Sequence, residues 1–266
     1  MDEMPVWSER VHVRAWEVGP ENEAGVPALC NWLQEAAGNH ASALEWGMDN
    51  LHDRDLTWVL ARLHVHMERL PAWREELLLS TWPTGVQRVL AIRDFSVQAD
   101  GTSLAVATSG WVLLDTTTRR PVRPGPALQA LAARTPPRAL HDPFERLPEL
   151  KDITRRVNVR VGRSDLDLNG HANNARFVAW ALDALPGEVV RGRIPRDFEI
   201  ELRAEAREGD TLAVEVFGSD ASPDVWLHRV VRPADDKELA RARTTFRPRG
   251  ASADQTLAID TKGGPQ

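Results

Sequence analysis

The sequence predicts an α+β protein made of two similar halves, each with one long helix wrapped by an antiparallel sheet. Segments of the first half recur in the second, and each half reads as a strand, an amphipathic helix and several further strands. A proline-rich stretch separates the halves. A repeat of about a hundred residues is typical of a duplicated domain rather than a solenoid.

The repeat can be followed along the chain by its spacing. The strand 10–14 matches 156–160 at an offset of 146 residues, whereas the later strand 63–67 matches 198–202 at an offset of 135. The change of offset predicts about 11 additional residues around the helix of the first half.

Hydrophobic periodicity identifies the elements of each half. Helices are predicted over 27–46 and 174–185, where apolar residues recur at helical spacing. Alternating or β-branched segments predict the strands, which are 57–67, 76–84, 89–98 and 104–114 in the first half, and 198–202, 211–218, 225–231 and 239–247 in the second. Two such units in tandem have the plan of a double hotdog fold.

Prolines set the predicted domain boundaries. Residues 121–150 hold seven of the 18 prolines, so they cannot form a central strand or a long helix. We therefore predict an N-terminal domain over 1–120, a proline-rich linker over 121–150 and a C-terminal domain over 151–249. The polar stretch 250–266 is predicted to be a loose tail.

Composition excludes several classes of function. A net charge of −6 argues against a general nucleic-acid binder, and no apolar run is long enough for membrane insertion. The N-terminus does not resemble a secretory signal and the chain has one cysteine, so we expect a cytoplasmic protein. Neither a serine-hydrolase G-x-S-x-G elbow nor a phosphate-binding glycine loop is present, and no cofactor is predicted.

The densest polar cluster, residues 165–174, lies between the first strand and the helix of the second half. Taken alone, it is more typical of a surface turn with an asparagine helix cap. Its start also resembles an EF-hand loop, but Arg176 stands where that loop needs a bidentate glutamate. No metal site is predicted, and His64 and His66, without a nearby carboxylate pair, are interpreted as surface or core residues.

The motif Asp-x-Asn-x-His-x-Asn-Asn at 167–174, followed by Trp180, resembles the second-domain motif of the acyl-ACP thioesterases. The first half agrees through Leu33-Gln34-Glu35-Ala36, Asn39-His40 and the segments 56–62, 111–113 and 118–120. The resemblance covers about residues 8–248. It implies a double hotdog hydrolase whose catalytic positions are Asp167, Asn169, His171 and Glu205.

Hydrolysis of a thioester needs an activated nucleophile, a base and donors for the developing oxyanion. In this interpretation Glu205 is the candidate base, and His171 either shares that role or stabilises charge. Asp167 would orient His171, and Asn169, helped by free backbone amides near Asn173 and Asn174, would bind the oxyanion. Strand alternation alone would not select Glu205 over Glu201.

A thiol nucleophile is not predicted. Many plant members of the family carry cysteine directly after the catalytic glutamate, where this chain has Ala206. The only thiol, Cys30, belongs to the other half of the repeat.

The resemblance also implies that the first half, which lacks the catalytic triplet, holds the acyl chain. Candidate lining residues are Trp32, Leu33, Ala36, Ala37, Trp58 and Leu60, each of which core packing would also explain. The implied partner is acyl carrier protein (ACP), an acidic protein, for which an arginine rim is expected at Arg160, Arg163, Arg176, Arg191, Arg193 and Arg196.

Two other functions remain open at this stage. One is a hotdog acyl-CoA thioesterase, and the other is a non-catalytic acyl-binding protein. The sequence does not define chain length, saturation preference or oligomeric state, and a homodimer stays open.

Overall fold

The computed structural model describes residues 5–249, in which eleven strands form one antiparallel sheet. The strands of the first half are β1 (Trp7–His12), β2 (Leu56–Met67), β3 (Glu76–Gln87), β4 (Leu90–Ala99), β5 (Thr102–Asp115) and the short β6 (Pro121–Val122). Those of the second half are β7 (Arg155–Arg160), β8 (Arg193–Leu202), β9 (Thr211–Ser219), β10 (Ser222–Arg232) and β11 (Lys237–Pro248).

The order of the strands displays the duplication. It runs β1-β3-β4-β5-β2-β8-β11-β10-β9-β7, so each half contributes five strands in mirrored order and β6 pairs with β5 at the side. The halves join where β2 pairs with β8, with Leu63 opposite Ile200. The tandem plan inferred from the sequence is therefore built as one continuous sheet.

The strand registers correct one detail of the predicted repeat. Leu77 and Leu212 correspond at the predicted offset of 135, and their partners on the neighbouring strands are Val11 and Val159. The first strands thus correspond at an offset of 148, not 146. A shift of two residues returns every side chain to the same face of a strand, so the apolar pattern could not detect it.

The helices are α1 (Val26–Ala43), α2 (Met48–His52), α3 (Pro126–Ala132), α4 (Asn174–Asp183) and α5 (Gly187–Val190). α1 and α4 contact each other, and their apolar faces supply core residues such as Leu29, Leu33, Phe177 and Val178. α1 ends three residues earlier than predicted, because the chain turns at Glu45, whose φ is +62°. No helix within residues 5–249 is long and apolar enough to cross a membrane.

The proline-rich stretch is fastened to both halves. It contains β6 and α3, and α3 packs on β3. Arg138 bonds the fully buried carboxylate of Asp94 at 2.9 Å, and Arg241 donates to the carbonyl of Leu147 at 2.8 Å. The predicted tail, 250–266, lies outside the described residues.

Candidate active site

The polar loop, residues 166–173, is closed by a bridge between Leu166 and Ala172. The Asp167 carboxylate accepts the backbone N–H groups of Asn169 at 2.8 Å and His171 at 3.3 Å. The Asp167 N–H in turn donates to the His171 carbonyl at 2.8 Å. Asp167 was expected to orient His171, and the contacts that join the two residues are made by the main chain of His171.

Glu205 lies beside this loop because the chain leaves β8 at Leu202 and turns. The Ala172 N–H donates to the Ala206 carbonyl at 2.9 Å, which fastens the segment after β8 to the polar loop. As a result, Oε2 of Glu205 lies 3.2 Å from Nε2 of His171. Strand alternation does not govern Glu205, because it follows the strand.

Glu201, the competing candidate, is held elsewhere. It belongs to β8, is 8% exposed, and its carboxylate lies 2.6 Å from Arg62 and 3.1 Å from Arg203. These ion pairs stabilise the junction between β2 and β8. The structure brings Glu205, and not Glu201, to His171.

Cations surround Glu205. Oε1 accepts a hydrogen bond from Arg207 at 2.9 Å, and Oε2 accepts one from Arg119 at 3.2 Å. Burial alone would raise the pKa of Glu205, but the Arg207 hydrogen bond, the charge of His171 and the Arg119 contact outweigh it and lower the pKa below its usual value. Glu205 is therefore a firmly ionised carboxylate at neutral pH.

Gln34, on α1 of the other half, completes the site. Its Nε2 donates to Oδ1 of Asn173 at 2.8 Å, and its Oε1 accepts from Nδ2 of Asn174 at 3.2 Å. Asn173 caps α4 by accepting the Ala175 N–H at 2.9 Å. Contrary to expectation, the Asn173 backbone N–H is not free, since it donates to the Asp165 carbonyl at 2.8 Å. The sequence motif contained Gln34 but gave no sign of this contact.

A central cleft of about 1760 Å³ runs between the halves, with Asn169, His171 and Glu205 in its wall. Of the residues predicted to hold the acyl chain, four also line it, namely Trp32, Ala37, Trp58 and Leu60.

Leu33 and Ala36 do not line the central cleft but lie in the hydrophobic core, 2% and 0% exposed. α1 has one side on the core and one on the cleft, and Gly38 and Ala41, which the sequence analysis missed, line the cleft. Apolar spacing marks both sides alike, so it could not separate them.

The thiol lies apart from this chemistry. Cys30 is 1% exposed, is not part of the cleft wall, and burial raises its pKa to about 12. Ala206 is fully buried beside the polar loop. This geometry matches the expectation that no thiolate takes part.

His64 and His66, interpreted as lacking carboxylates, in fact lie among them. Nδ1 of His64 lies 2.8 Å from Asp142 and Nδ1 of His66 lies 2.7 Å from Asp197. His64, Asp142 and Glu199 together have the spacing of a metal site. The group is nevertheless neutralised by its own ion pairs, and it ties the segment after α3 to the β2–β8 junction.

Both halves of the chain match a known protein family. The model of the acyl-ACP thioesterase N-terminal domain matches residues 5–129, and that of the C-terminal domain matches 149–248. Oleoyl-acyl carrier protein thioesterase 1 of Arabidopsis thaliana is 26% identical over 92% of this chain and 77% of its own length. Oleoyl-acyl carrier protein thioesterase of Coriandrum sativum is 30% identical over 82% of this chain and 63% of its own.

Solved structures give the same result. An acyl-ACP thioesterase from Bacteroides thetaiotaomicron superimposes with a TM-score of 0.82 at 25% identity, covering 91% of this chain and 98% of that one. The 12:0-ACP thioesterase from Umbellularia californica has a TM-score of 0.81 at 28% identity, with 92% and 94% covered.

Two hotdog units that share a deep cleft with a histidine–glutamate pair in its wall define a thioester hydrolase of acyl chains. The chain belongs to the acyl-ACP thioesterase family, whose members hydrolyse the thioester between a fatty acyl chain and ACP. The predicted double hotdog fold and the family resemblance are confirmed. The chain spans 77% and 63% of the first two curated relatives.

Proposed function

We propose that this chain hydrolyses fatty acyl-ACP to free fatty acid and ACP, using a water molecule activated by His171. The observation that carries the proposal is the 3.2 Å contact between Nε2 of His171 and Oε2 of Glu205 in the wall of the central cleft. A histidine held by an ionised carboxylate is the usual arrangement of a general base.

The surroundings of Glu205 favour His171 as the base. Both Glu205 oxygens are engaged by cations, and a carboxylate with a lowered pKa is a weak proton acceptor. Glu205 instead stabilises the imidazolium through its charge, since its Oε2 lies 3.2 Å from Nε2 of His171. Nδ1 of His171, which has no hydrogen-bond partner within residues 5–249, then faces the water. This division of roles reverses the one first expected.

His171 and Asn169 together can carry the thioester through hydrolysis. Water adds to the thioester carbonyl carbon as its proton passes to Nδ1 of His171. The oxyanion accepts a hydrogen bond from the side-chain amide of Asn169, which is exposed on the polar loop and lines the cleft. Collapse of the intermediate breaks the carbon–sulfur bond, and the departing ACP thiolate takes the proton from the imidazolium.

The acyl chain would lie along the central cleft against Trp32, Ala37, Trp58 and Leu60. Within residues 5–249, five arginines and lysines line the cleft, namely Arg14, Arg93, Arg119, Arg203 and Lys237, but six carboxylates line it too, so the wall as a whole is not cationic. Arg119 lies beside Glu205 with most of its side chain exposed, and it suits an acidic carrier. The expected rim residues Arg193 and Arg196 lie near the start of β8, whereas Glu205 follows its end, which is about 30 Å along the strand. We therefore place the carrier on the Arg119 side of the molecule.

A cytoplasmic location also stays a proposal. The single buried cysteine suits a reducing compartment, whereas the relatives named above are chloroplastic. A fluorescent fusion tests the location, and light scattering of the purified chain tests whether it forms a homodimer.

Turnover of acyl-ACP by matched variants tests the site. His171→Ala and Glu205→Gln should each lower kcat about 100-fold or more, and added imidazole should restore part of the His171→Ala activity. Glu201→Gln is the control, since it removes a neighbouring carboxylate that pairs with Arg62 and Arg203 and should lower stability rather than kcat. Near-normal turnover by Glu205→Gln would contradict the assignment.

The carrier is tested separately. Acyl-ACP should be preferred over acyl-CoA with the same chain, and its kcat/KM should fall as salt is raised, since screening weakens steering. A clear preference for acyl-CoA at all salt concentrations would show an acyl-CoA thioesterase instead. Binding without turnover would show an acyl-binding protein.

A further inference from the structure

Arg93 occupies an unusual position in the wall of the central cleft. It lies on β4, where alternate residues Phe95 and Val97 point into the hydrophobic core and are 1% exposed. Arg93 precedes Phe95 by two residues on the same strand, so its side chain is directed to the same, apolar side of the sheet. It is partly accessible, and the space from which it is reached is the cleft.

The guanidinium has polar neighbours but no counter-ion. Nη1 lies 2.9 Å from Nδ1 of His40 and 3.2 Å from Oγ1 of Thr81, and both must accept, because a guanidinium only donates. No carboxylate forms an ion pair with Arg93 within residues 5–249. Burial lowers the pKa of Arg93 to about 10, so it remains a cation at neutral pH. An enclosed charge without a counter-ion favours an incoming oxygen acceptor.

The equivalent position in the second half is occupied by a residue with a purely structural role. Arg93 pairs with Pro83, and the corresponding pair in the second half is Trp226 with Gly218. Trp226 is 9% exposed, belongs to the core and packs directly over Gly218. The second half thus fills this position with an indole, whereas the first half has a cation beside open space.

The depth of Arg93 in the cleft follows from α1. Gln34 marks the end of the cleft where His171 and Glu205 lie, through its contacts with α4. His40, the neighbour of Arg93, is six residues farther along the helix, or about 9 Å. Arg93 therefore lies beside the middle or far end of a medium-length acyl chain and away from the thioester.

We propose that Arg93 makes the enzyme selective for acyl chains that carry an oxygen substituent at this depth, above all a terminal carboxylate. A methyl-terminated chain that passes Arg93 displaces water and leaves the guanidinium N–H groups that do not reach His40 or Thr81 without acceptors, whereas a carboxylate replaces that water with a charge-assisted hydrogen bond. This inference rests on the proposed function, because it assumes that the chain enters the cleft from the His171 end.

The experiment compares pairs of acyl-pantetheine thioesters of equal length, one ending in methyl and one in carboxylate, from hexanoyl to hexadecanoyl. In the wild-type enzyme the carboxylate-ended substrate should have about tenfold or higher kcat/KM than its methyl-ended partner at one length or a narrow range. Arg93→Met should lower kcat/KM for that carboxylate substrate and raise it for methyl-ended chains long enough to pass the site. A fall in kcat/KM for one substrate series together with a rise for the other shows lost selectivity, because a general loss of stability would lower both.

Two further variants complete the test. Arg93→Lys keeps the charge and should retain part of the preference. Arg10→Met removes an exposed arginine of β1 and should leave both series unchanged. The inference is wrong if the wild-type enzyme hydrolyses methyl-ended thioesters well but prefers no carboxylate-ended chain at any length. If it hydrolyses neither these thioesters nor acyl-ACP, the proposed function fails as well.

Discussion

Replacing Gly38 by leucine tests whether α1 forms a wall of the acyl-binding space. Gly38 lies in the middle of α1 and lines the central cleft, and a Cβ atom added there would meet no atom within 4 Å. The larger side chain should therefore enter open space without disturbing the fold. It should also stabilise the helix by about 0.5–1 kcal/mol, because glycine is a poor helix former.

The size of the effect follows from the volume that leucine occupies. Its side chain would displace roughly three methylene groups of a bound chain, each worth about 0.8 kcal/mol, so long chains should lose about 2 kcal/mol. That is about a thirtyfold fall in kcat/KM for long chains relative to short ones. Gly38 lies four residues beyond Gln34, or about 6 Å, so chains that end before it should keep their rates.

The assay is kcat/KM over an acyl-ACP series from hexanoyl to octadecenoyl, with Ala36→Leu as the matched control. Ala36 is fully buried in the core two residues away, so its enlargement should cost about 1–3 kcal/mol of stability and leave the chain-length preference unchanged. The reasoning is refuted if Ala36→Leu alters the preference while Gly38→Leu does not.

Three other predictions use the same structure. Gln34→Leu should lower kcat and reduce the free energy of unfolding by about 1–2 kcal/mol, measured in urea, because two hydrogen bonds between the halves are lost. Native enzyme treated with iodoacetamide at mildly alkaline pH should keep its activity, since burial raises the pKa of the Cys30 thiol to about 12, and inactivation that Cys30→Ala prevents would contradict this. Burial lowers the pKa of His64, but hydrogen bonds to Asp142 and Asp197 raise it to about 9. Up to about 3 kcal/mol of stability should therefore be present below pH 6.5 and lost as the pH rises to 9, and His64→Asn should flatten that part of the melting-temperature profile.

The sequence located most regular elements because periodicity is a local property, although β8 begins five residues before its predicted start and the short helices α2 and α5 were not predicted. β2 begins one residue before its predicted start, and α4 begins at the predicted Asn174. Contacts between distant segments were missed, such as the 2.8 Å pair between His64 and Asp142, which are 78 residues apart. The contact between Glu205 and His171 was expected only through the family resemblance, since strand alternation argued against it.

The two halves share a loop geometry but differ in its chemistry. The bridge that closes the polar loop, Leu166 to Ala172, has its equivalent at Val18 to Ala24, at the same offset of 148 as the first strands. The residues of the first half that stand at the positions of Asp167, Asn169, His171 and Glu205 are Gly19, Glu21, Glu23 and Leu70.

The first half therefore keeps the backbone of the site but has no histidine at these four positions, and its Glu23 pairs with Arg249 at 2.6 Å instead of with an imidazole. It also has the longer helix, 18 residues in α1 against 10 in α4, and the additional turns carry Gly38, His40 and Ala41. Gly38 and Ala41 line the central cleft, and His40 contacts Arg93, which lines it too. A hotdog unit that covered its sheet with a short helix would have no such wall. Extension of α1 and loss of the polar loop chemistry are thus two parts of one division of labour, in which the first half forms the acyl-binding wall and the second half cleaves the thioester.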